Sequence, residues 1–547
     1  MTAADIHDFT PEERAEFENH CATLSDIGNM SRPEAEAEAL GIIRGRRNGA
    51  HIDDIQRKQI REVARFTMPD PDYTQVFEAI EARVRDKMRE KSVYEFHPTE
   101  EGQTEAVTLY IDGLIRYVEG LGWAAYDGQD GTWRTDIGEH VVNKIIQIVA
   151  RERWDFRGAD ESRDYFRFVE RLNTEPGVRH VEKMLRPHVM DKAEVYDKSP
   201  YVINCHGMAV DLRTGKYNAS IPELRFMRTT GCQPDFDQLE NPTGDHGCPH
   251  FIDFLADITC GDVDLALWIM RWFGYCLTGD ISAPFFVDLH GKGRNGKGVL
   301  LHTMANIFGG YARTVPDELI IDDSRAGNVK HAYASLLGVR LAIADDVKPG
   351  RLNLSSLKKI TGKDPVEAER KYQHPFTFWP TCKVTLASNH KLSLPETGDA
   401  ATDRIKFVPF NFSAIGREDF TLEDKLIREA PQILAWIIRE AGKYLAAPGK
   451  PGFPPCAAID KATEDYIAGE DIIQQFLDEK MTMRDKDARI KASDLYKAYK
   501  EWAYESGEKR PMTTTAFGRR MSSKGMDKVH DVNGWWYMGI RAKGMYD

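Results

Sequence analysis

Paired cysteines are missing from this chain. Its eight cysteines (Cys21, Cys205, Cys232, Cys248, Cys260, Cys276, Cys382, Cys456) are scattered and form no C-x-x-C pair. That argues against a disulfide framework, and reduced thiols in a cytoplasmic protein are the expectation. His246, Cys248 and His250 crowd into GDHGCPHF, but only Cys232 lies near enough to extend them, so an ordinary loop is expected there rather than a zinc site. Long apolar runs are missing too: no stretch of about 18 apolar residues occurs, which predicts no membrane-spanning helix and no membrane partner. The first residues, MTAADIHDFTPEERAEFENH, are acidic and lack the apolar segment of a secretory leader. Excess positive charge is also absent, since 73 Lys and Arg against 86 Asp and Glu leave −13. An overall basic coat for nucleic acid is therefore excluded, whereas local basic patches and channels are not.

What is present describes a globular protein. Hydrophobic residues at 41% and charged residues at 29% give ample core, and 547 residues imply about three or four domains. The rest of the chain is organised around residues 284–308, PFFVDLHGKGRNGKGVLLHTMANIF. The run Phe285, Phe286, Val287, closed by Leu289, reads as a strand. A helix is expected from about Val299, with Leu300, Leu301, Met304 and Ile307 on one face. Between them Gly291, Gly296 and Lys297 make G-x-x-x-x-G-K, the phosphate-binding loop pattern, with Gly293, Asn295, Gly298 and Val299 in the same turn. Glycines let backbone amides close around phosphate oxygens, the helix N-terminus favours an anion, and the lysine reaches the outer phosphates. One position departs from the pattern. The residue after Lys297 is Gly298, where a Ser or Thr hydroxyl ordinarily holds Mg²⁺.

Two later strands extend the theme. LLGVRLAIADD carries Asp345 and Asp346 behind an apolar run, where carboxylates hold a metal shell and polarise an attacking water. TCKVTLASN ends in Asn389, an amide able to orient that water, and Arg404 follows in ATDRIKFVPF, placed to act on a neighbour's nucleotide. Between those strands, LNLSSLKKITGKDPVEAERKYQHPFTFWP interleaves Lys358, Lys359, Lys363, Arg370, Lys371 and His374 with Tyr372, Phe376 and Phe378. Such a hairpin suits single-stranded nucleic acid, charge for phosphate and rings for bases; an ordinary exposed hairpin fits the composition equally well.

The expected organisation is α/β, with five parts. Residues 1–95 are a helical N-terminal region, with Val76, Ile80, Val84 and Met88 at helical spacing and a proline turn at Asp70 and Asp72. Residues 96–245 are an α+β domain: a helix over 106–121, strands in WAAYDGQDGTWRTD, a helix over 138–153, and small strands in YVINCHGMAVDLRTGKYNAS. Residues 246–447 hold the loop and its partner strands, with Trp268, Trp272 and Phe273 as core. Residues 448–466 include the Pro/Gly-rich linker APGKPGFPP. Residues 467–547 suggest a winged helix, with a helix from Thr513 carrying Arg519, Arg520 and Lys524 and a wing around Val532, Asn533 and Gly534. Such folds bind DNA or dock proteins, and both readings stand.

GKGRNGKGVL, LAIADD, LKKITGKDPVEAERKY, VTLASN and DRIKFVPF, in that order, resemble a superfamily 3 helicase. Over residues 97–547 the chain is similar to the phage and plasmid primase-helicase family related to the poxvirus primase-helicase. The resemblance implies an AAA+-like P-loop NTPase core that assembles as a ring, usually a hexamer. It implies ATP and Mg²⁺ as cofactors, and single-stranded and forked DNA as partner, unwound 3′ to 5′ by translocation through the ring. By position it gives Lys297 the phosphates, Asp345 and Asp346 the Walker B role and the metal, Asn389 sensor 1 and Arg404 the arginine finger. It places Lys371 and His374, with Arg370 and Lys359 beside them, in the region that lines the pore. The implied setting is replication of a phage or mobile element in the bacterial cytoplasm, with a separate primase or polymerase as a candidate partner. Residues 1–95 are short and lack a carboxylate constellation, so no primer synthesis is expected of this chain. An ATP-switched initiator or loader that does not unwind is the alternative.

Overall fold

The computed structural model describes residues 73–155, 163–322, 329–369, 375–390, 392–394, 403–447, 452–483, 488–506, 511–526 and 528–543. Residues 1–74 form a unit of their own, almost wholly outside that set, and the turn at Asp70 and Asp72 lies outside it. The account below concerns the other unit, residues 75–547.

Its first part runs α1 (Tyr73–Glu90), α2 (Glu100–Ile111), β1 (Ile115–Val118), β2 (Gly122–Asp127), β3 (Thr132–Arg134), α3 (Gly138–Asp155), α4 (Arg163–Leu172), α5 (Glu175–Leu185) and β4 (Met190–Asp191). Val76, Ile80 and Val84 bury the inner stripe of α1 against Val107, Ile111, Val142 and Ile146. The helix expected over 106–121 is corrected: it stops at Ile111, because Gly113 takes φ 75° and the chain turns into β1. The strands pair in the order β3-β2-β1-β4.

A second small sheet follows, β5 (Val202–Cys205), β6 (Met208–Asp211) and β7 (Tyr217–Ala219), then the short helix α6 (Phe236–Glu240). His206 and Gly207, both at positive φ, make the tight turn between β5 and β6. Ile203, Val210, Leu212 and Leu239 share one apolar cluster with Phe251, Leu300 and Ile433. The packing is thus continuous across the boundary expected at 245/246.

The middle of the chain runs α7 (Pro249–Ile258), α8 (Val263–Leu277), β8 (Phe286–His290), α9 (Lys297–Phe308), β9 (Ala312–Thr314), α10 (Val329–Ala334), β10 (Leu341–Ala344), α11 (Leu354–Thr361), β11 (Val366–Ala368), β12 (Phe376–Phe378), β13 (Lys383–Ser388), β14 (Ile405–Pro409), α12 (Leu422–Arg428), α13 (Ala430–Ala446) and α14 (Ala457–Glu470). Five strands form one sheet in the order β14-β8-β13-β10-β9, every pair parallel. Both faces are covered, which is why these strands read as near-continuous apolar runs. Val287, Leu289, Leu341, Ile343, Ala387 and Val408 face one core with α8, α9 and α13. Phe286, Ala342, Ala344, Val384, Leu386, Ile405 and Phe407 face the other, with α11 and α14. Trp272 and Phe273 are buried as expected; the Trp272 indole donates to Thr385 Oγ1 at 3.0 Å.

The stretch read as a linker carries real contacts. Phe453 stacks among Trp268, Trp272, Phe285 and Tyr444, and Gly452 O accepts from Arg271 at 2.8 Å. α14 packs on β14: Tyr466 stacks on Phe407 with ring centres 3.6 Å apart, and Thr463 Oγ1 accepts from Phe407 N at 3.1 Å.

The last part comprises α15 (Ile472–Lys480), β15 (Met481–Met483), β16 (Arg489–Lys491), α16 (Ala492–Glu505), α17 (Thr514–Ser523), β17 (Lys528–Asp531), β18 (Gly534–Met538) and β19 (Ile540–Ala542). Phe476, Leu495, Tyr499, Trp502, Phe517, Met521 and Tyr537 make its core. Thr513 caps α17, and β17 and β18 form the hairpin around Val532 to Gly534 beside β16. Among the described residues no helix is long and apolar enough to cross a membrane.

Candidate functional site

Parallel strands deliver their following loops to one edge of the sheet. β8 leads away to β9 on one side, while β13 leads to β14 on the other, so a crevice opens beyond the carboxyl ends of these two neighbours. The glycine-rich loop follows β8, Asn389 follows β13, and Asp345 and Asp346 follow β10. Three stretches about 45 residues apart in sequence therefore meet at one place.

The loop is built by close approach. A Cβ on Gly291 would lie 2.3 Å from Phe410 O, and one on Gly296, at φ 85°, would lie 2.6 Å from Ile258 Cγ2. Gly296 is the N-cap of α9, so the helix begins at Lys297, two residues before the expected Val299. Asn295 is buried and donates to Phe410 O at 3.0 Å, fixing the loop to the end of β14. Around Gly293 there is open space, and Arg294 takes φ 59° and faces Glu418 at 3.6 Å. Val299 packs partly into the core beneath.

Lys297 is the centre of the site. Its side chain is buried, and Nζ donates to Gly291 O at 2.8 Å, Asn295 Oδ1 at 3.0 Å and Asn389 Oδ1 at 3.1 Å. Desolvation lowers its pKa from the ordinary value, against the opposing pull of Asp288, Asp345 and Asp346. A buried ammonium held only by neutral oxygens is a site that favours an arriving anion. Asn389 also donates to Asp346 Oδ1 at 3.4 Å, which joins that carboxylate to the lysine through one amide. Asp346 sits at φ 53°, a conformation aspartate tolerates better than most residues.

Five neighbouring groups were missed in the sequence. Asp288 lies fully buried inside β8, where burial raises its pKa to about 7, and the Ser388 hydroxyl lies 2.9 Å from both of its carboxylate oxygens. His290 Nδ1 lies 3.0 Å from the same hydroxyl. His302, one turn into α9, places Nε2 3.4 Å from Asp345 Oδ2 and Nδ1 3.4 Å from Glu423 Oε1. That imidazole, with smaller effects from Lys297 and others, holds the Asp345 carboxyl below its usual range. The signals were a carboxylate inside an apolar run at Asp288 and a histidine four residues after Gly298.

Other expected residues lie apart. Arg404 precedes β14, at the amino edge of the sheet, and donates to Pro284 O at 3.3 Å. Lys359 is exposed on α11. Arg370, Lys371 and His374 lie outside the described residues; β11 and β12 on either side pair antiparallel as a hairpin. His246 stacks on Trp436 and accepts from Arg439, His250 meets Glu429 at 2.6 Å, and Cys248 is buried, so each has its own role in the loop. Among the described residues no group of three or more His, Cys, Asp or Glu is arranged to hold a metal unaided.

Residues 106–260 match the family described as D5 N terminal like, and residues 289–404 match the family of unknown function DUF5906. The chain is similar to a provisionally named helicase, L207/L206, of Acanthamoeba polyphaga mimivirus, at 22% identity over 56% of this chain and 33% of the relative. It is also similar to a provisionally named helicase, 022R, of Frog virus 3, at 24% identity over 39% of this chain and 23% of the relative. This chain thus spans a third or less of the length of these relatives. Apo structures of the NrS-1 C-terminal region align with 54% of this chain and 76% of theirs at 13% identity and TM-score 0.35, and with 53% and 74% at 15% and 0.34. The family and sequence matches relate the chain to D5-like, helicase-named viral proteins.

Proposed function

We propose that the crevice at the carboxyl edge binds and hydrolyses ATP with a divalent metal ion, and that the chain is the motor of a replicative DNA helicase. The observation that carries this reading is the buried Lys297 ammonium, joined by Asn389 to the Asp346 carboxylate beside a glycine-rich helix N-terminus. The residues fit the group. The loop amides and Lys297 suit phosphate oxygens, and Asp345 and Asp346 are hard oxygen donors of the kind Mg²⁺ prefers. A bound metal ion would neutralise charge on the phosphates. The protein's own part is positional. Lys297 turns donors from Gly291 O and the two amides toward phosphate, and Asn389 and Asp346 orient a water for attack. The winged-helix reading of residues 467–547, the ring, and single-stranded and forked DNA as substrate belong to the same proposal; α17 with the β17–β18 hairpin supports the first, and the helicase names of the relatives support the DNA substrate.

The test is ATP hydrolysis with and without single-stranded DNA, beside unwinding of a forked duplex. Hydrolysis stimulated by DNA, with unwinding, supports the helicase. Hydrolysis without unwinding of any fork supports an ATP-switched loader instead. Absence of nucleotide binding refutes both.

A further inference from the structure

The sequence poses a question at Gly298 that the structure answers through another residue. A side chain at Gly298 would meet little: beyond its chain neighbours and the backbone of its own helix, an added Cβ comes no nearer than 4.0 Å to anything, and the atom it meets there is His302 Cε1. The space in front of Gly298 is thus bounded by the His302 imidazole, which stands on the same face of α9 one turn later. That ring is aimed by two carboxylates. Glu423 Oε1 lies 3.4 Å from Nδ1, on the side away from the crevice acid, and Asp345 Oδ2 lies 3.4 Å from Nε2. A carboxylate on one imidazole nitrogen with the other nitrogen turned to a metal site is the usual support of a metal-binding histidine.

We propose that His302 Nε2 is a direct metal ligand of the nucleotide site, standing in for the hydroxyl that Gly298 lacks. Asp345 is the neighbouring protein ligand, nucleotide phosphates and water complete the shell, and Glu423 orients the ring by accepting from Nδ1–H. Two protein ligands suffice because a nucleotide-bound ion takes most of its shell from phosphate and water, in keeping with the lack of a self-sufficient metal cluster among the described residues. Replacing an oxygen donor by an imidazole nitrogen shifts preference from Mg²⁺ toward transition ions such as Mn²⁺ and Co²⁺. Gly298 supports this arrangement, since a larger residue would place its side chain in the space between the ring and the phosphates.

This inference rests on the nucleotide reading above, and the experiment separates the two. The full chain is loaded with Mn²⁺ and ADP, binding is followed by calorimetry, and the complex is examined by pulsed electron paramagnetic resonance. The expected wild-type spectrum shows a ¹⁴N coupling that becomes ¹⁵N when histidine alone is ¹⁵N-labelled. His302→Gln is expected to lose the coupling and to lower the preference for Mn²⁺ over Mg²⁺ in ADP binding on the order of tenfold. His302→Ala combined with Gly298→Ser is expected to restore Mg²⁺ preference through the new hydroxyl. If Mn²⁺–ADP binds to the wild type and no histidine coupling is seen, this inference is overturned while the nucleotide reading stands. That result needs no variant to fold. If wild type binds no Mn²⁺–ADP at all, the nucleotide reading itself falls and takes the inference with it.

Discussion

Replacing Lys297 by Met removes the ammonium while keeping a side chain of similar length, and it separates binding from stability. In the nucleotide-free protein Nζ makes three hydrogen bonds to neutral oxygens. Methionine leaves those oxygens to water or to nothing, at about 1 kcal/mol each when buried. It also relieves the desolvation that already lowers the lysine pKa. These effects oppose, so the nucleotide-free stability is expected to move by no more than about 1–2 kcal/mol. Binding is different. Charge-assisted hydrogen bonds are worth about 1.5–3 kcal/mol each, so losing two of them to phosphate removes about 3–6 kcal/mol, a fall in affinity on the order of 10²–10⁴-fold. Calorimetry with ADP measures the affinity, and thermal unfolding with and without ADP measures the stability. At 100 times its Kd, ADP stabilises the wild type by about 2.7 kcal/mol; at the same concentration the variant should gain almost nothing. A variant that binds ADP within threefold of wild type would refute the assignment of Lys297 to phosphate.

The other predictions probe separate parts of the molecule. Arg404→Ala and Lys297→Met should each lose hydrolysis alone and regain part of it when mixed, because an intact loop in one copy then meets an intact arginine from its neighbour; no rescue on mixing removes the trans role. Lys371→Ala should weaken single-stranded DNA binding and reduce the slope of log affinity against log salt by about 0.7, the single-strand value per phosphate contact; unchanged binding removes the hairpin from the interface. Buried Asp288 has its pKa raised to about 7, so the folded state holds a proton that the unfolded chain releases near pH 4. Its contribution is full below about pH 4 and fades as pH rises toward 7, and Asp288→Asn should flatten the stability profile across that window. Lys383, fully buried with its pKa lowered to about 7, works the other way: stability should rise with pH from about 7 to about 10, and Lys383→Met should abolish the slope. Urea melts at several pH values read both, and an unchanged slope in either variant counts against the burial argument.

The elements that were legible are those whose signal is local. The glycine-rich loop, the acids behind LAIA and the amide after VTLAS declare themselves by residue type at the end of an apolar run, and all three come to one edge because parallel strands share a direction. The helix over 106–121 was misread because its apolar spacing carries on past Asp112 and Gly113, and only the left-handed turn at Gly113 marks the start of β1. The linker was misread for the opposite reason. Pro and Gly signal an irregular chain, and they say nothing about Phe453, whose half-buried ring packs against tryptophans nearly 200 residues away. Asp288 and His302 were invisible for a related cause: a buried carboxylate looks like a blemish in a strand, and a helical histidine like a solvated one, until the partners Ser388, Asp345 and Glu423 arrive from elsewhere.

Those long-range partners also explain how the site keeps its shape. β8 carries the loop, β13 carries Asn389, and the two strands lie side by side with Leu289 opposite Ala387 and His290 opposite Ser388. One residue below the site, the Ser388 hydroxyl bridges Asp288 and His290 of the neighbouring strand. A one-residue slip would carry Ser388 to the other face and leave Asp288 buried without a partner, which costs several times the loss of an exposed hydrogen bond. The polar bridge therefore sets the register on which the Lys297–Asn389 contact depends. Arg404 lies outside this arrangement. It stands at the opposite end of β14, a five-residue strand that spans about 16 Å at 3.3 Å per residue, and its guanidinium is held on Pro284 O. Within one chain an arginine there stands at the far edge of the sheet from the crevice, which fits the proposal that it serves the crevice of another copy.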